Sequence, residues 1–227
     1  MGWRGDSKPD ISYAPVELRR NSEGKLPPET PCPELDALEK SLGSLAVAAT
    51  AVLAGCGVYQ IDARSTISQS QFEEESEVLE SKLRMLLLHT SLSLRQKERL
   101  EAVKKTMANL WVISRASYRL TDVILYSQSP EERVWASTYL QPGVSAAMEL
   151  GMRLAEAINK NDAVLARDCV SYMKRVDDTV ARAYPSADSL QKRGPRQLAR
   201  AALISLLVIR DSFGTIAALR VFANTTA

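Results

Sequence analysis

The sequence predicts an all-α fold arranged as two tandem three-helix bundles, and three observations lead to it. Apolar residues recur at spacings of three and four over long stretches, which places them on single helix faces. No stretch carries the period-two alternation of a strand. The helical stretches also fall in the order helix, helix, long helix, connector, helix, helix, long helix. With 45% hydrophobic and 25% charged residues, the 227-residue chain has an ordinary globular composition and buries roughly 70% of its unfolded surface on folding.

Residues 1–33 hold Pro9, Pro15, Pro27, Pro28, Pro31 and Pro33 among polar residues without a sustained period, and they read as a flexible tail. The first repeat is expected over 34–127. From Glu34, the residues Leu35, Leu38, Leu42, Leu45, Ala49, Val52 and Cys56 line one face of a first helix, and Gly55 and Gly57 offer a stop. A second helix is expected from the Asp62–Phe72 region to about Leu92. It turns Phe72, Leu79, Leu83, Leu86 and Leu87 inward and Glu73, Glu74, Glu75, Glu80 and Lys82 outward. The third, long helix starts near Arg95 and repeats Leu100, Val103, Met107, Leu110, Ser114, Ser117, Thr121 and Ile124 almost to Ser127, a narrow stripe suited to bundle packing.

The connector is expected over 128–141. Ser129-Pro130-Glu131-Glu132 combines an N-cap serine, a first-turn proline and a capping-box glutamate, so a short helix starts there and Gln141-Pro142-Gly143 interrupts it. The second repeat, 142–223, opens with a helix presenting Val144, Met148, Gly151, Ala155 and Ile158, followed by the tight turn Asn159-Lys160-Asn161-Asp162. The next helix carries Leu165, Cys169, Met173, Val176, Val180 and Ala183 and is expected to end at Pro185. After a Gly194-Pro195 loop, the last helix runs from about Arg196 to Ala223. Its apolar composition from Ala201 to Ile209 marks it as the most buried element.

Several function classes lose support at once. The net charge is +2 and no basic patch interleaves with aromatics, so no nucleic-acid partner is expected. Three scattered cysteines, Cys32, Cys56 and Cys169, fit a reducing, cytoplasmic compartment better than a disulfide framework. A single histidine, His89, leaves out metal sites that need two or more imidazoles, and at the end of an apolar run it reads as a capping or surface residue. No phosphate-cradling glycine loop is present. The run Ala201–Ile209 falls short of the roughly 20 apolar residues a bilayer span requires, so no membrane insertion is expected. Leu53-Ala54-Gly55-Cys56 matches a lipoprotein cleavage box, which would make the chain an envelope lipoprotein anchored at Cys56. The flanking Asp36 and Glu39 and the amphipathic pattern favour a core helix instead.

The stretches Asn161–Arg167 and Val176–Tyr184, and the long-helix ends Ser117–Asp122 and Leu206–Asp211, together resemble the PhoU family of phosphate-uptake regulators, and the resemblance covers about Glu34 to Ala223. Asn161-Asp162-Ala163-Val164-Leu165-Ala166-Arg167 is similar to the family's turn into the second helix of a repeat. Val176-Asp177-Asp178-Thr179-Val180-Ala181-Arg182-Ala183-Tyr184 resembles its run of acids, valine and terminal tyrosine. The family's Leu-Glu-Arg-Ile-Gly-Asp, which ends each long helix, is matched by Ser117-Tyr118-Arg119-Leu120-Thr121-Asp122 and by Leu206-Leu207-Val208-Ile209-Arg210-Asp211.

The resemblance implies a non-enzymatic, cytoplasmic negative regulator of phosphate transport and phosphate homeostasis. It would work as a homodimer through protein contacts with the phosphate transporter ATPase and a sensor kinase. Candidate contacts are the acidic face at Glu73, Glu74, Glu75 and Glu77 and the aromatics Trp111, Tyr118 and Trp135. The family's paired acids, four residues apart on one helix face, can hold metal. Here Tyr118 and Leu207 stand at the glutamate positions and Ala181 replaces an acid of the other run. Asp122 and Asp211 are therefore expected to be remnants salt-bridged by Arg119 or Arg115 and by a neighbouring arginine, and no metal or other cofactor is expected at the degenerate positions Asp122, Asp177, Asp178 and Asp211. A helical adaptor without a phosphate role is the competing reading.

Overall fold

A computed structural model describes the backbone of residues 31–56, 63–89, 92–126, 129–190 and 193–225. The expected tail lies, up to residue 30, outside the described residues. Seven α-helices follow: α1 Pro33–Cys56, α2 Ala63–His89, α3 Leu94–Tyr126, α4 Pro130–Trp135, α5 Gln141–Lys160, α6 Ala163–Asp188 and α7 Arg193–Thr225. A π-turn, Ala136–Leu140, joins α4 to α5. Among the described residues there is no strand.

Local sequence explains the helix ends. At Ser129 the capping box forms: Ser129 Oγ accepts from the Glu132 amide at 3.2 Å, and the Ser129 amide donates to Glu132 Oε2 at 3.1 Å. The same device, missed in the sequence, starts α3, where Ser93 Oγ accepts from the Gln96 amide and Gln96 Oε1 from the Ser93 amide. Between α5 and α6, Asn161 takes the left-handed conformation at φ 50°, and Asp162 Oδ1 accepts from Val164 and Leu165.

Three prolines act differently from expectation. Gln141-Pro142-Gly143 does not interrupt the chain, because the turn before it widens and the Gln141 amide donates to Ala136 O, five residues back. The widened turn carries the helix past a residue that lacks an amide and crowds the preceding turn. Pro185 lies inside α6, which runs on to Asp188. The one bond it removes falls in the final turn, where helical bonding is already running out. Gly194-Pro195 likewise sits in the first turn of α7, a position that tolerates proline.

α1 packs against α2, α3 and α5, α7 packs against α3, α5 and α6, and α5 packs against α6. One triplet, α1 to α3, thus meets another, α5 to α7, through the α1–α5 and α3–α7 contacts, and buried apolar residues of both form a single core. Leu35, Leu38, Leu42, Leu45, Ala49 and Val52 all point into it. Close crossing depends on glycine: a Cβ on Gly151 would meet Thr50 Oγ1 at 2.5 Å and Phe213 Cζ at 2.8 Å. The buried hydroxyls of Thr50 and Ser117 are satisfied within their own helices, Thr50 bonding Ala46 O and Ser117 bonding Ile113 O.

Two expectations about burial are corrected. Leu87 does not point inward; it is 49% exposed on α2, while Phe72, Leu79 and Leu86 fill the core. Nor is α7 the most buried element: 50% of its apolar window is buried against 56% of that of α1, with Ile204 56% exposed and Val208 36%, because the outer side of the helix has no neighbour among the described residues.

Candidate functional site

The acids singled out by sequence converge only in part. Asp177 on α6 and Asp211 on α7 both meet Arg210, whose Nε and Nη2 lie 2.8 and 2.6 Å from Asp177 Oδ1 and whose Nη1 contacts Asp211 Oδ1. Burial works against the Arg210 charge, but Asp177 and then Asp211 outweigh it and raise the arginine's pKa. Asp178 is exposed, one residue beyond, and contributes its carbonyl to Arg182 at 3.1 Å. Asp122 lies on α3, with its side chain outside the described residues, as are those of Cys56 and His89. Tyr118 and Leu207 pack against the core. The cation between α6 and α7 is therefore the guanidinium of Arg210. A metal ion there would need more oxygens than two aspartates already engaged by an arginine supply. No three acid, cysteine or histidine side chains converge among the described residues.

The expected contact aromatics are less exposed than supposed. Trp135 is buried, and Trp111 and Tyr118 are half-buried against the core, with Phe72 meeting Trp111 edge-on at 5.1 Å. Glu73, Glu74 and Glu77 are solvated on α2, whereas Glu75 is half-buried and accepts from Gln71 at 2.8 Å.

A groove of about 840 Å³ lies on α5, bounded by Val47 of α1 and Tyr172 of α6. Its floor is apolar, with Met148 half-buried, Met152 60% exposed and Ala155 beneath. Its α6 side is charged. Arg153 donates to Tyr172 Oη at 3.3 Å, and Arg153 and Arg175 approach the Tyr172 ring at 5.9 and 5.0 Å. Glu149 meets Arg175 at 2.9 Å. Lys160 at 2.7 Å, and then Arg153, hold the Glu156 carboxyl below the usual carboxylate range. Unbranched methionines adapt to different apolar partners, and a charged edge orients what binds. Sequence reading placed Met148 in the core. Met148 and Met152, four residues apart, were the available signal, but the period alone does not distinguish a core edge from an exposed floor.

No protein-family profile matches the chain, and no curated protein sequence is significantly similar to it. Among solved structures it is similar to PhoU from Pseudomonas aeruginosa, with a TM-score of 0.63 over 86% of this chain and 95% of that one, at 16% identity. The chain has a PhoU-like fold. That likeness spans nearly the whole described bundle. α1 and α7 each contain an apolar stretch long enough to cross a membrane, Pro33–Ala54 and Gly194–Val221. The second is longer than the Ala201–Ile209 run considered in the sequence. In the bundle 56% and 50% of the respective windows are buried. Leu53, of the lipoprotein-like box, is fully buried in the core.

Proposed function

We propose that this chain is a non-enzymatic, PhoU-like negative regulator of phosphate uptake and phosphate-responsive signalling. It acts through protein contacts with the phosphate transporter ATPase and its sensor kinase in the cytoplasm, without a bound metal. The observation that supports this reading is the likeness to a PhoU protein over 86% of the chain, joined to the helix-end motifs at Asp122 and Asp211. The open groove between Val47 and Tyr172 supports the contact mechanism: its methionine floor and charged edge suit an amphipathic helix, whose apolar face would lie against Met148 and Met152.

Calorimetry with the purified full chain and the transporter ATPase and sensor kinase from the same genome tests the proposal. We expect saturable binding to at least one of them, weakened tenfold or more by Met152→Glu, and deletion of the gene should raise a phosphate-starvation reporter in phosphate-replete medium. No binding to either protein, together with an unchanged reporter, would sink the phosphate reading and leave the helical adaptor.

A further inference from the structure

A second groove, of about 450 Å³, runs between α1 and α2, with Ser41 and Ser44 on one side and Glu74, Glu75, Val78 and Lys82 on the other. It contains an unmet acceptor. Glu75 Oε1 accepts from Gln71 Nε2 at 2.8 Å, but Glu75 Oε2 is shut off from solvent and has no hydrogen-bond partner. The adjoining Ser76 is fully buried and leaves its Oγ unpartnered too. Buried polar atoms are nearly always bonded, and a carboxylate oxygen is especially costly to leave bare because it carries charge. Two donors at the groove are already used: Gln71 on Glu75, and Ser41, whose Oγ donates to Ala37 O at 2.9 Å. Glu74 stands solvated beside Glu75, so this end of the groove is rich in acceptors. Lys82, the cation in the lining, lies seven residues beyond Glu75, about 10 Å along the helix.

The geometry points to a binding site for one primary alkylammonium group, the side chain of a lysine presented by another protein, with its ammonium between Glu74 and Glu75 Oε2 and its methylenes along Val78. An ammonium carries three donors on a compact charge, which suits acceptors that come from separate side chains, here Glu74, Glu75 and Ser44. A guanidinium gains most from both oxygens of one carboxylate, and Gln71 already holds Glu75 Oε1. A metal ion would need more oxygens than two carboxylates supply. The exposed Val78 and the buried Leu79 give the lysine stem an apolar wall. Lys82 repels a second cation at the far end, which disfavours free diamines and polyamines. Because Glu75 lines the groove, a turn about its last side-chain bond brings Oε2 to an entering donor. The site is separate from the groove on α5 and does not depend on the phosphate reading.

Nuclear magnetic resonance of the isotope-labelled full chain at low ionic strength tests the site, with Nα-acetyl-lysine methylamide as the probe. Saturable shifts are expected in the amides of 41–44 and 71–82, at millimolar probe because one partly solvated ion pair contributes little. Glu75→Gln, which keeps the shape of the side chain, should weaken binding tenfold or more. Glu74→Gln, at a solvated position that carries no packing, should weaken it at least threefold. Lys82→Gln should leave the lysine probe bound and let putrescine bind as well as the probe does. Acetylation of the probe's Nε should abolish the shifts, and the arginine counterpart should bind less tightly. The absence of saturable shifts up to tens of millimolar, or shifts that survive Nε acetylation or both glutamine substitutions, would overturn the site and leave a groove that holds water. Tighter binding of putrescine or spermidine than of the lysine probe to the unaltered chain would overturn the assignment to a protein lysine. Failure of the transporter ATPase and sensor kinase to bind, with these shifts preserved, would count against the proposed function alone.

Discussion

Arg210 of α7 grips Asp177 of α6 with two nitrogens, at 2.8 and 2.6 Å, and touches the neighbouring Asp211 as well. One side chain thereby ties two helices together. The pair is only partly shielded, with side chains 26% and 38% exposed, so its net worth is modest. Arg210→Ala is expected to lower unfolding free energy by about 1 kcal/mol. Urea denaturation of Arg210→Ala, Asp177→Ala and the double variant would show coupling between the two; additive losses would mean that the pair contributes nothing of its own.

The same geometry bears on metal. With Arg210 engaging Asp177 and Asp211, elemental analysis of the purified protein is expected to find no stoichiometric iron, zinc or magnesium. A chelator should leave the melting temperature unchanged. A bound ion would stabilise the fold by about 2.7 kcal/mol at a hundredfold excess over its dissociation constant. One ion per chain, with a chelator-induced fall in melting temperature that Asp211→Ala reproduces, would show that the acids still act as ligands.

Helix crossing offers a sharper contrast. Gly151 sits where α5 passes Thr50 of α1 and Phe213 of α7, leaving no space for a Cβ, while Gly194 has nothing within 4 Å of one. Gly151→Ala should cost about 1–3 kcal/mol through overpacking of a dense core. Gly194→Ala is expected to be neutral or slightly stabilising, since alanine restricts the unfolded chain and clashes with nothing. Equal stability of the two variants in chemical denaturation would show that α1 and α5 do not approach as closely as described.

The two triplets also have a testable independence. If 34–127 and 142–223 are repeats, each holds its own three helices, yet the apolar residues of both merge in one core through α1–α5 and α3–α7. Either half expressed alone is expected to be helical but without sharp near-ultraviolet circular dichroism, and mixing the halves should restore it. A half that melts cooperatively by itself would indicate two separate cores.

Much of this fold was legible because helical periodicity reports directly on burial: every residue read as inward on the first helix from Leu35 to Val52 is buried. Periodicity failed where it was incomplete information. The apolar run of α7 marked it as the most buried element, but sequence does not say on how many sides a helix has neighbours, and Ile204 and Val208 face outward. Pro142 and Pro185 were read as breaks because proline lacks an amide. A widened turn in one case and a final turn in the other absorb that loss. The groove escaped notice because its parts come from α1, α5 and α6, residues more than a hundred positions apart in the chain. The Arg210 contacts were half legible: a neighbouring arginine was expected for Asp211, but the reach across to Asp177 is a tertiary fact.

Cys169 provides a prediction in which burial and pH act together. The sequence places it on the inner face of its helix, and in the structure it is fully buried, with its Sγ 3.5 Å from the carbonyl of Leu165. Burial, and then the nearby charge of Asp168, push its thiol up to about 11. Thiolate is the reactive form, so in the folded protein Cys169 is both shielded and protonated at pH 8. Because its folded pKa exceeds that of an exposed thiol, the difference stabilises the fold below the unfolded pKa and is lost as pH rises through about 11. Iodoacetamide at pH 8, read by peptide mass spectrometry, is expected to leave Cys169 unmodified in buffer and to alkylate it fully in urea. Labelling in buffer at a rate near that of a free thiol would mean that α6 opens locally far more often than its packing allows. Cys169→Ser should then separate the two causes: if burial dominates, the variant loses about 1–3 kcal/mol by placing a hydroxyl in an apolar site, and an undiminished melting temperature would show that the site is wetter than the structure describes.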